Sequence, residues 1–492
     1  MNKVLDILCL LIGALLPLAF APTDWYILAW ILPGMLIPLW MNATPKRAAL
    51  RGALFGCGFF GVGVSWVYVS IHVHGYAPIW LAALLTLLFV AVLALFTAGC
   101  AWTFRRLFSA PKLTSWCIGF PVLWVLWEWI RGWILSGFPW LYLGYSQVEG
   151  LLSGFVPVVG IYGTTFIITA VSGSLAYAVY QHNKKSPLYL LPAILLLALG
   201  YGLTTIQWTQ ANNDIRQVSL IQGNIPQEEK WDRQYVQSII KKYTDLTALH
   251  WDSSLIIWPE AALPIPLPAS LALVDSLDQA ATQHNTTLIM GLLAETPDTN
   301  NYYNGIIALG TGQGLYHKRQ LVPFGEFVPF ENILRGLIQF FNLPFSSIVP
   351  GDSVQPVLES GAWKIAPLIC YEIAYATLAE GAARQGNIIL TISNDSWFGR
   401  SLGPKQHLQI AQFRALETGR TVIRATNNGI TAIINPQGQI TQQIPAFTTT
   451  VLTGDADTTQ GLTPIVRLGH NMVLGILFIM LIVCVWINRR FK

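Results

Sequence analysis

Ile-Ala-Pro-Leu-Ile-Cys-Tyr-Glu, at residues 365–372, is an apolar run that ends in a cysteine, an aromatic residue and an acid. The apolar run predicts a buried strand, and the apolar periodicity of residues 373–383 predicts a helix after it. We therefore expect Cys370 at a strand-to-helix turn, where the first free amides of the helix stabilise a thiolate or an oxyanion. The alternative is a buried structural thiol, because free cysteines are among the most buried residues.

The composition of the whole chain is that of a membrane protein. Of the 492 residues, 53% are hydrophobic and only 11% are charged, which is too apolar for an ordinary soluble protein. The charges are unevenly spread, since residues 207–466 hold 21 of the 25 acidic and 15 of the 29 basic residues. This block has a soluble composition and a net charge of −6, and the remainder carries +10.

Eight apolar segments are each about 20 residues long, which is the length of a helix that crosses a bilayer core. They are residues 4–20, 25–41, 50–71, 79–104, 115–135, 155–180, 187–206 and 468–487. The first also resembles a signal peptide, because Lys3 precedes it and Ala-Phe-Ala at residues 19–21 imitates a cleavage site. Pro22 directly after that site disfavours cleavage, so a retained helix is the prediction.

The charges of the connecting loops predict the orientation, because cytoplasmic loops retain Lys and Arg. Basic residues occur in alternate connections only: Lys46, Arg47 and Arg51; Arg105, Arg106 and Lys112; Lys184 and Lys185; Arg489, Arg490 and Lys492. Both termini are therefore predicted to be cytoplasmic. The predicted domains are a seven-helix membrane domain (1–206), a periplasmic catalytic domain (207–466), and a last helix with a cytoplasmic tail (467–492).

The pattern of basic residues and cysteines excludes other classes of site. No Lys/Arg run with interleaved aromatic residues occurs in residues 207–466, so nucleic-acid binding is not expected. Five cysteines lie in the predicted spans, and Cys370 is the only one in the soluble block. A lone thiol in an oxidising compartment has no disulfide partner in its domain, which favours a chemical role. The histidines are scattered, so no metal site is predicted.

The soluble block alternates between strand and helix patterns, which predicts mixed α/β layers. Predicted strands cover 217–221, 254–258, 287–292, 305–309 and 387–393, with helices over 233–250, 270–284 and 407–417 and a hairpin at 430–444. Sites of α/β folds lie at strand ends, which makes Glu260 and Lys318 candidates. An isolated Glu or Lys is usually a surface charge, but both stand in apolar company here.

One pair of charges lies within the predicted membrane segments. Glu128 and Arg131 are three residues apart in the fifth segment, so they share a helix face and are expected to pair. A transport or lipid-headgroup role is the alternative for such charges. The loop after them, residues 136–154, is aromatic and uncharged up to Glu149 and is expected at the outer membrane interface.

Three motifs together resemble the nitrilase superfamily. Glu260 follows Trp-Pro, Lys318 lies shortly before Leu-Val-Pro-Phe-Gly-Glu, and Cys370 precedes Tyr-Glu, in the order of that superfamily's Glu–Lys–Cys triad. With seven spans before these motifs and one after, the chain is similar to the apolipoprotein N-acyltransferase family. The resemblance implies a nitrilase-like αββα sandwich domain on eight transmembrane helices.

The resemblance also implies roles for individual residues. Cys370 matches the nucleophile, Glu260 the general base and Lys318 the residue that stabilises the tetrahedral intermediate. Glu326 and Glu372 match further essential acids and Tyr371 the residue after the nucleophile, while Trp231 is similar to the tryptophan of a mobile loop over the site. Contacts with lipid or peptide are expected to vary in residues 334–347 and 399–406.

For function, the resemblance implies a bacterial inner-membrane enzyme. It would take an acyl chain from a phospholipid, mainly phosphatidylethanolamine, and deliver it to the N-terminal amine of the diacylglyceryl-cysteine of an apolipoprotein. No cofactor is implied, and a monomer is expected. A membrane-tethered amidohydrolase with water as acceptor is the alternative, although one span would suffice as its tether. A transporter or scaffold is disfavoured by the few ionisable residues in the spans.

Overall fold

The computed structural model describes residues 2–296, 301–323, 325–327 and 348–490. The chain divides into two compact units. The first comprises residues 1–68, 78–208 and 463–492, and the second comprises residues 69–77 and 209–462. The loop 334–347, in which the sequence predicts variable lipid or peptide contacts, lies outside the described residues.

The first unit is built of apolar helices. Five helices of the described chain are long and apolar enough to cross a membrane: Asn2–Ala19, Ile79–Leu107, Ser153–Gln181, Ser186–Leu203 and His470–Arg490. A sixth candidate arises if Pro45–Gly63 and Trp66–His74, which meet at a bend of 56°, count as one span. The chain therefore has the helices of a membrane protein, as its composition predicts.

The predicted count of eight spans is not confirmed, and the sequence explains why two segments fall short. The second predicted span contains the 14-residue helix Leu28–Met41, which includes Pro33 and Pro38. The fifth begins with a π-helical turn, Ser115–Gly119, and continues as the 12-residue helix Phe120–Arg131. Prolines and π-helical turns interrupt regular helical hydrogen bonding, so these helices are shorter than the apolar segments that contain them. The hydropathy of a segment alone does not show where its helix is interrupted.

The expected pairing of Glu128 with Arg131 is wrong, because both side chains bind the following loop instead. Glu128 accepts the backbone N–H of Leu143 at 3.0 Å, and Arg131 Nη1 donates to the carbonyls of Phe138 and Trp140 at 2.7 and 2.6 Å. These two side chains form no ion pair with each other in the described structure. A buried loop must satisfy its backbone groups, and these charges do so here.

The second unit contains two mixed sheets. Its strands in the described residues are β1 Gln210–Ala211, β2 Arg216–Gln222, β3 Leu255–Ile257, β4 Thr287–Glu295, β5 Tyr302–Gly310, β6 Gly312–Gln313, β7 Leu315–His317, β8 Leu358–Ser360, β9 Trp363–Ile369, β10 Ile388–Ser393, β11 Val422–Thr426, β12 Thr431–Ile434, β13 Ile440–Ile444, β14 Thr450–Ala456 and β15 Thr459–Gln460. The six-stranded sheet has the order β14-β2-β3-β4-β5-β7, and the seven-stranded sheet has the order β13-β12-β11-β10-β9-β8-β6. β1 pairs with β15 in a separate two-stranded sheet.

Each sheet has a parallel centre and antiparallel margins. β2, β3 and β4 are parallel to one another, as are β9, β10 and β11. Apolar side chains of the two sheets form one shared core, which includes Leu220, Ile257, Ile369 and Leu390. All six residues of β10 are buried, as expected for a central strand that is covered on both faces.

Helices cover the outer faces of both sheets. Val236–Ala248 and Leu267–Gln283 pack on the six-stranded sheet through a second apolar core. Ala376–Gln385 and Gly403–Thr418 contact the seven-stranded sheet. The layers are thus helix, sheet, sheet and helix, which agrees with the predicted αββα sandwich. Each sheet directs the carboxyl ends of its parallel strands to one edge, where α/β folds carry their sites.

Candidate active site

Cys370 stands at a sharp turn directly after β9. It begins a short 3₁₀ turn, Cys370–Ala374, and the helix follows at Ala376–Gln385. The predicted strand-to-helix turn is therefore present, but the helix begins three residues later than expected because the 3₁₀ turn intervenes. Cys370 has a φ of +52°, a left-handed conformation that costs a residue with a side chain roughly 1–3 kcal/mol. Such stored strain is typical of functional sites.

Glu260 lies shortly after β3, beyond Trp258 and Pro259. Its carboxylate is buried and fully engaged: Oε1 accepts from Asn304 Nδ2 at 2.7 Å, and Oε2 accepts the backbone N–H of Asn394 at 2.7 Å. Asn304 belongs to β5 of the same sheet, and Asn394 directly follows β10 of the other sheet. The two sheets therefore hold this carboxylate between them.

Lys318 directly follows β7 and is only 1% exposed. Its Nζ donates to Oε1 of Glu260 at 3.2 Å and to Oε1 of Glu326 at 2.9 Å. Glu326 in turn accepts from Asn304 Nδ2 at 2.9 Å, and its Oε2 accepts the backbone N–H of Val322 at 2.8 Å. The three predicted charges thus form one hydrogen-bonded cluster with Asn304 at its centre.

Glu372 has a different set of partners. It is fully buried and accepts the backbone N–H groups of Ile369 and Arg319, each at 2.7 Å. The hydroxyl of Tyr316 donates to the same carboxylate, with distances of 3.0 and 2.9 Å to its two oxygens. Glu372 therefore joins the turn of Cys370 to the segment of Lys318 and does not enter the Glu260–Lys318–Glu326 cluster.

The two aromatic candidates, Tyr371 and Trp231, pack against different groups of residues. Tyr371 is buried and packs edge-on against Tyr375, with the ring centroids 5.2 Å apart. Trp231 follows the short helix Gln227–Lys230 and packs with Phe327 against a small apolar cluster of Leu293, Leu321 and Ile348. The ring of Trp231 thus packs against a cluster that includes Leu321, five residues before Glu326.

Burial and charge shift the protonation equilibria of the cluster. Burial opposes ionisation of Glu260, but the Lys318 ammonium and the hydrogen bonds of Asn304 and Asn394 outweigh it and hold the pKa of Glu260 below its usual value. Burial likewise opposes the charge of Lys318, yet Glu260 and Glu326 raise the pKa of its ammonium well above normal. At neutral pH the site therefore holds an ionised base and an ionised lysine.

The thiol of Cys370 has the opposite tendency. Burial raises its pKa, and the negative charge of Glu260 raises it further, although Lys318 partly opposes both. Cys370 is thus a neutral thiol in the resting site and needs a base before it can attack. Glu260 is the carboxylate whose charge acts most strongly on this thiol, which makes it the candidate general base.

Three contributors to this cluster were missed by the sequence analysis. Asn394 directly follows β10 as Cys370 directly follows β9, so its position at a parallel strand end was a usable signal. Asn304 lies inside β5, where no pattern distinguishes it. Lys230 precedes Trp231, and its Nζ donates to the main-chain carbonyl of Glu260 at 2.9 Å.

A further buried cluster supports the backbone of the nucleophile. The carbonyl of Cys370 lies 3.1 Å from Nε2 of His407, whose Nδ1 lies 3.1 Å from Nη2 of Arg424. Arg424 Nη2 also donates to Asp395 at 2.6 Å. Burial and the positive charge of Arg424 lower the pKa of His407 against the opposing charge of Asp395. Because the Cys370 carbonyl can only accept, the proton of a neutral His407 lies on Nε2, and Nδ1 accepts from Arg424 although Oδ1 of Asp395 also lies 3.1 Å from it.

The arrangement suits nucleophilic acyl transfer: a thiol at a strained turn, an ionised base, and a buried ammonium. In the described part of the chain, no group of three or more His, Cys, Asp and Glu side chains is arranged to hold a metal ion.

Two family models match the chain. The model described as the apolipoprotein N-acyltransferase N-terminal domain matches residues 12–174, and the model described as carbon-nitrogen hydrolase matches residues 217–462. The second match contains every residue of the cluster around Cys370. The fold of the second unit is accordingly that of the carbon-nitrogen hydrolases, with mixed sheets as described above.

Full-length relatives carry both regions in one chain. The protein is 43% identical over 481 residues to the apolipoprotein N-acyltransferase of Coxiella burnetii, covering 97% of this chain and 99% of that protein. It is 45% identical over 468 residues to that of Pseudomonas aeruginosa strain LESB58 and 43% identical over 473 residues to that of Azotobacter vinelandii, covering 93% and 94% of this chain and 91% of each relative. At this identity over nearly the whole length, the chain belongs to the apolipoprotein N-acyltransferase family.

Proposed function

We propose that this protein transfers an acyl chain from a phospholipid to the N-terminal amine of the S-diacylglyceryl-cysteine of apolipoproteins, through a thioester on Cys370. The observation that carries the proposal is the hydrogen bond between Lys318 and Glu260 beside the strained thiol of Cys370. Membership in the family supports the acyltransferase reaction. The order of the chemical steps comes from the protonation states of the site.

The first half-reaction forms the thioester. Glu260 takes the proton of the Cys370 thiol, and the sulfur attacks the ester carbonyl of the phospholipid. The Lys318 ammonium stabilises the oxyanion that forms, together with the backbone N–H of Tyr371. The carbon–oxygen bond then breaks, and Glu260 returns its proton to the leaving oxygen. The products are an acyl-cysteine and a lysophospholipid.

The second half-reaction uses the same groups in reverse order. The free α-amine of the apolipoprotein attacks the thioester carbonyl, and Glu260 takes a proton from the nitrogen. The carbon–sulfur bond breaks, and the proton passes from Glu260 to the sulfur of Cys370. An amide is formed and the thiol is restored, so the kinetics are ping-pong without a cofactor.

The remaining residues hold this machinery in place. Glu326 shares the Lys318 ammonium and Asn304 with Glu260, so it fixes the lysine between two carboxylates. Glu372 ties the nucleophile turn to the lysine segment. Trp231, which packs against the same apolar cluster as Phe327, shields the acyl group from water. Phosphatidylethanolamine is the acyl donor we propose, and the chain acts as a monomer.

The proposed location follows from loop charge. The protein lies in the bacterial inner membrane with both termini in the cytoplasm, the seven-helix domain at 1–206 and the last helix at 467–492, and residues 207–466 lie in the periplasm. A reporter that is active only in the cytoplasm, fused after residue 207, is expected to be silent. The same reporter fused after residue 112 is expected to be active, and activity after residue 207 contradicts the topology.

Intact-protein mass spectrometry tests the chemistry. Purified full-length protein mixed with phosphatidylethanolamine alone is expected to gain one acyl mass on Cys370, and Cys370→Ala gains none. Cys57→Ala, which removes a thiol from the membrane helix Pro45–Gly63, is the matched control and retains the adduct. If wild-type protein gains no adduct without apolipoprotein, acyl transfer takes place in a ternary complex instead.

The acceptor separates transfer from hydrolysis. After addition of a diacylglyceryl apolipoprotein, the mass of its N-terminal peptide is expected to rise by the acyl group that Cys370 loses. Release of free fatty acid without a change in the peptide would favour the membrane-tethered amidohydrolase.

A further inference from the structure

Lys230 is a buried lysine whose sequence context suggests an exposed one. It follows Glu228 and Glu229 at the end of the short helix Gln227–Lys230, a charged run of the kind that usually faces solvent. The structure buries it, and only 2% of the residue is exposed. Removal of an ammonium group from water is costly unless it is paired, so this burial requires an explanation.

The hydrogen bonds of Lys230 are too few for a buried ammonium. The group carries three N–H donors, and among the described residues Nζ makes one hydrogen bond, to the main-chain carbonyl of Glu260. The ring of the neighbouring Trp231 lies with its centroid 5.7 Å from Nζ, which adds a weak cation–π contact. Two of its donors therefore have no hydrogen-bond partner among the described residues.

The charge balance of the site gives Lys230 a role. Lys318 alone is shared between two carboxylates, those of Glu260 and Glu326. Without Lys230, these three side chains carry one net negative charge in a buried site, before any thiolate or oxyanion has formed. With Lys230 the set is neutral, and the set together with Cys370 remains neutral when the proton moves from Cys370 to Glu260. A neutral site accommodates the new anion at much lower cost than a negative one.

The electrostatics of the lysine agree with this geometry. Burial lowers the pKa of Lys230 to about 8, while the charges of Glu260 and Cys370 act in the opposite direction. Lys230 is therefore still mainly charged at neutral pH, and its bond to the main chain of Glu260 places it beside the residue that receives the Cys370 proton. A purely structural tie between the Trp231 segment and Glu260 would need neither property.

We propose that Lys230 is a second cation of the active site, which stabilises the negative charge that develops at Cys370 and on the ester oxygen during thioester formation. Its main-chain bond to Glu260 holds it there, and its remaining N–H groups face the substrate oxygen. This inference rests on the proposed role of Cys370 as the nucleophile. No bond is made or broken at Lys230, and its proton stays on Nζ throughout.

Alkylation of Cys370 by a neutral and an anionic reagent separates charge from structure. Full-length protein in detergent is treated with iodoacetamide or iodoacetate at pH 7, and the peptide that contains Cys370 is quantified by mass spectrometry. In Lys230→Met, the rate of alkylation by iodoacetate is expected to fall about tenfold more than the rate of alkylation by iodoacetamide. The reason is that the Lys230 ammonium of the wild type attracts the anionic reagent and does not attract the neutral one. Lys230→Arg keeps the charge and is expected to keep the wild-type ratio.

The control is Lys241→Met, which removes an exposed lysine that pairs with Asp245 on a nearby helix. It is expected to leave the ratio unchanged. In parallel, Lys230→Met is expected to form the thioester with phosphatidylethanolamine roughly a hundredfold more slowly than wild type, the usual effect of removing one stabilising donor.

Two results would be decisive. An unchanged reagent ratio in a folded Lys230→Met variant overturns the inference and leaves Lys230 a structural tie. If instead wild-type protein forms no acyl adduct while its Cys370 discriminates between the reagents through Lys230, the cation assignment stands and the proposed thioester function fails. A thermal unfolding curve of each variant shows whether it is folded.

Discussion

Glu372 accepts the backbone N–H of Arg319 at 2.7 Å, and through this bond the turn of Cys370 is joined to the segment of Lys318. A second short bond, from the backbone N–H of Ile369, fixes the other side of the same carboxylate. The nucleophile and the ammonium come from different sheets, so their relative position depends on a few such links. Glu372 is therefore a positioning residue, although its place beside Cys370 in the sequence suggests direct chemistry.

The first prediction concerns this link. Glu372→Gln replaces one acceptor oxygen by an NH₂ group, which cannot accept all the N–H groups that now converge on the carboxylate. We expect thioester formation to slow roughly a hundredfold, because displacement of catalytic groups by about 1 Å has effects of that size. Single-turnover mass spectrometry with phosphatidylethanolamine measures the rate.

Glu359→Gln is the matched control, because Glu359 is an exposed carboxylate on β8 that contacts Gln313. It is expected to behave as wild type. A wild-type rate in Glu372→Gln would show that the two segments are held together by other contacts.

The sequence predicted the layers of the second unit because its strands and helices are periodic and apolar. The predicted strand at 387–393 matches β10, and the predicted helix at 233–250 contains Val236–Ala248. β11 and β14 were missed. β11 includes the buried Arg424, and a charged residue within a short strand breaks the apolar run on which the pattern depends.

The sequence predicted the site residues that follow the end of a strand. It did not predict those that lie inside a strand or a helix. Glu260, Lys318 and Cys370 follow strands directly or closely, so their positions converge by topology. Asn304 lies inside β5 and donates to the carboxylates of Glu260 and Glu326. Lys230 is the last residue of a helix of four residues. Such contacts depend on the tertiary fold, and no local periodicity encodes them.

The second prediction concerns the role of Glu260 as the base and the pH dependence of Cys370 alkylation. Glu260→Gln removes the group that deprotonates Cys370, so the rate of iodoacetamide alkylation at pH 7 is expected to fall roughly 10²–10⁴-fold. Burial raises the pKa of the Cys370 thiol and continues to do so in the variant, so most of the thiol stays protonated at pH 7. Hydroxide replaces the missing base as the pH rises, so the variant is expected to recover part of its reactivity at pH 9–10.

The rate of alkylation against pH, followed on the Cys370 peptide, is the measurement. Asp278→Asn changes a carboxylate that binds the backbone of Gly310 outside the site, and its profile is expected to match wild type. A Glu260→Gln profile parallel to that of wild type over the whole range would exclude Glu260 as the base.

The third prediction concerns His407, whose Nε2–H supports the Cys370 carbonyl. Its pKa in the folded protein lies below its usual value, so the unfolded chain binds more protons once the pH falls below about 6.5. Folding stability is therefore lost as the pH decreases through this region, and the contribution is fully present only above it. In His407→Gln the titrating imidazole is gone, so the free energy of unfolding no longer includes this pH-dependent contribution.

We expect His407→Gln to be less stable than wild type at pH 7.5, by about 1–3 kcal/mol, because it disturbs a buried hydrogen-bond network. Its Tm is nevertheless expected to fall less between pH 7.5 and pH 5.5 than that of wild type. Thermal unfolding in detergent at both pH values tests this, and an equal or larger fall in the variant contradicts a neutral His407.

The last prediction concerns water at the acyl-enzyme. Trp231 and Phe327 both pack against the cluster of Leu293, Leu321 and Ile348, in which Leu321 lies between Lys318 and Glu326 in the chain. The segment before it is held from two sides, since Asn394 Nδ2 donates to Gln227 at 2.9 Å and Lys230 donates to Glu260. Trp231→Ala removes the ring and leaves these anchors, so water is expected to reach the thioester while the catalytic cluster stays in place.

The expected result is a thioester that forms at nearly the wild-type rate but leaks to free fatty acid, so that transfer to apolipoprotein falls more than acylation does. Acyl-enzyme decay after removal of phospholipid, followed by mass spectrometry with a fatty-acid assay, gives both rates. Trp251→Ala is the matched control, because that ring stacks on His284 and does not belong to the Trp231 cluster. Since water competes with the amine for one intermediate, a faster decay in Trp231→Ala with unchanged acylation is the signature of a lost cover. Equal decay in the two variants would assign Trp231 to packing alone.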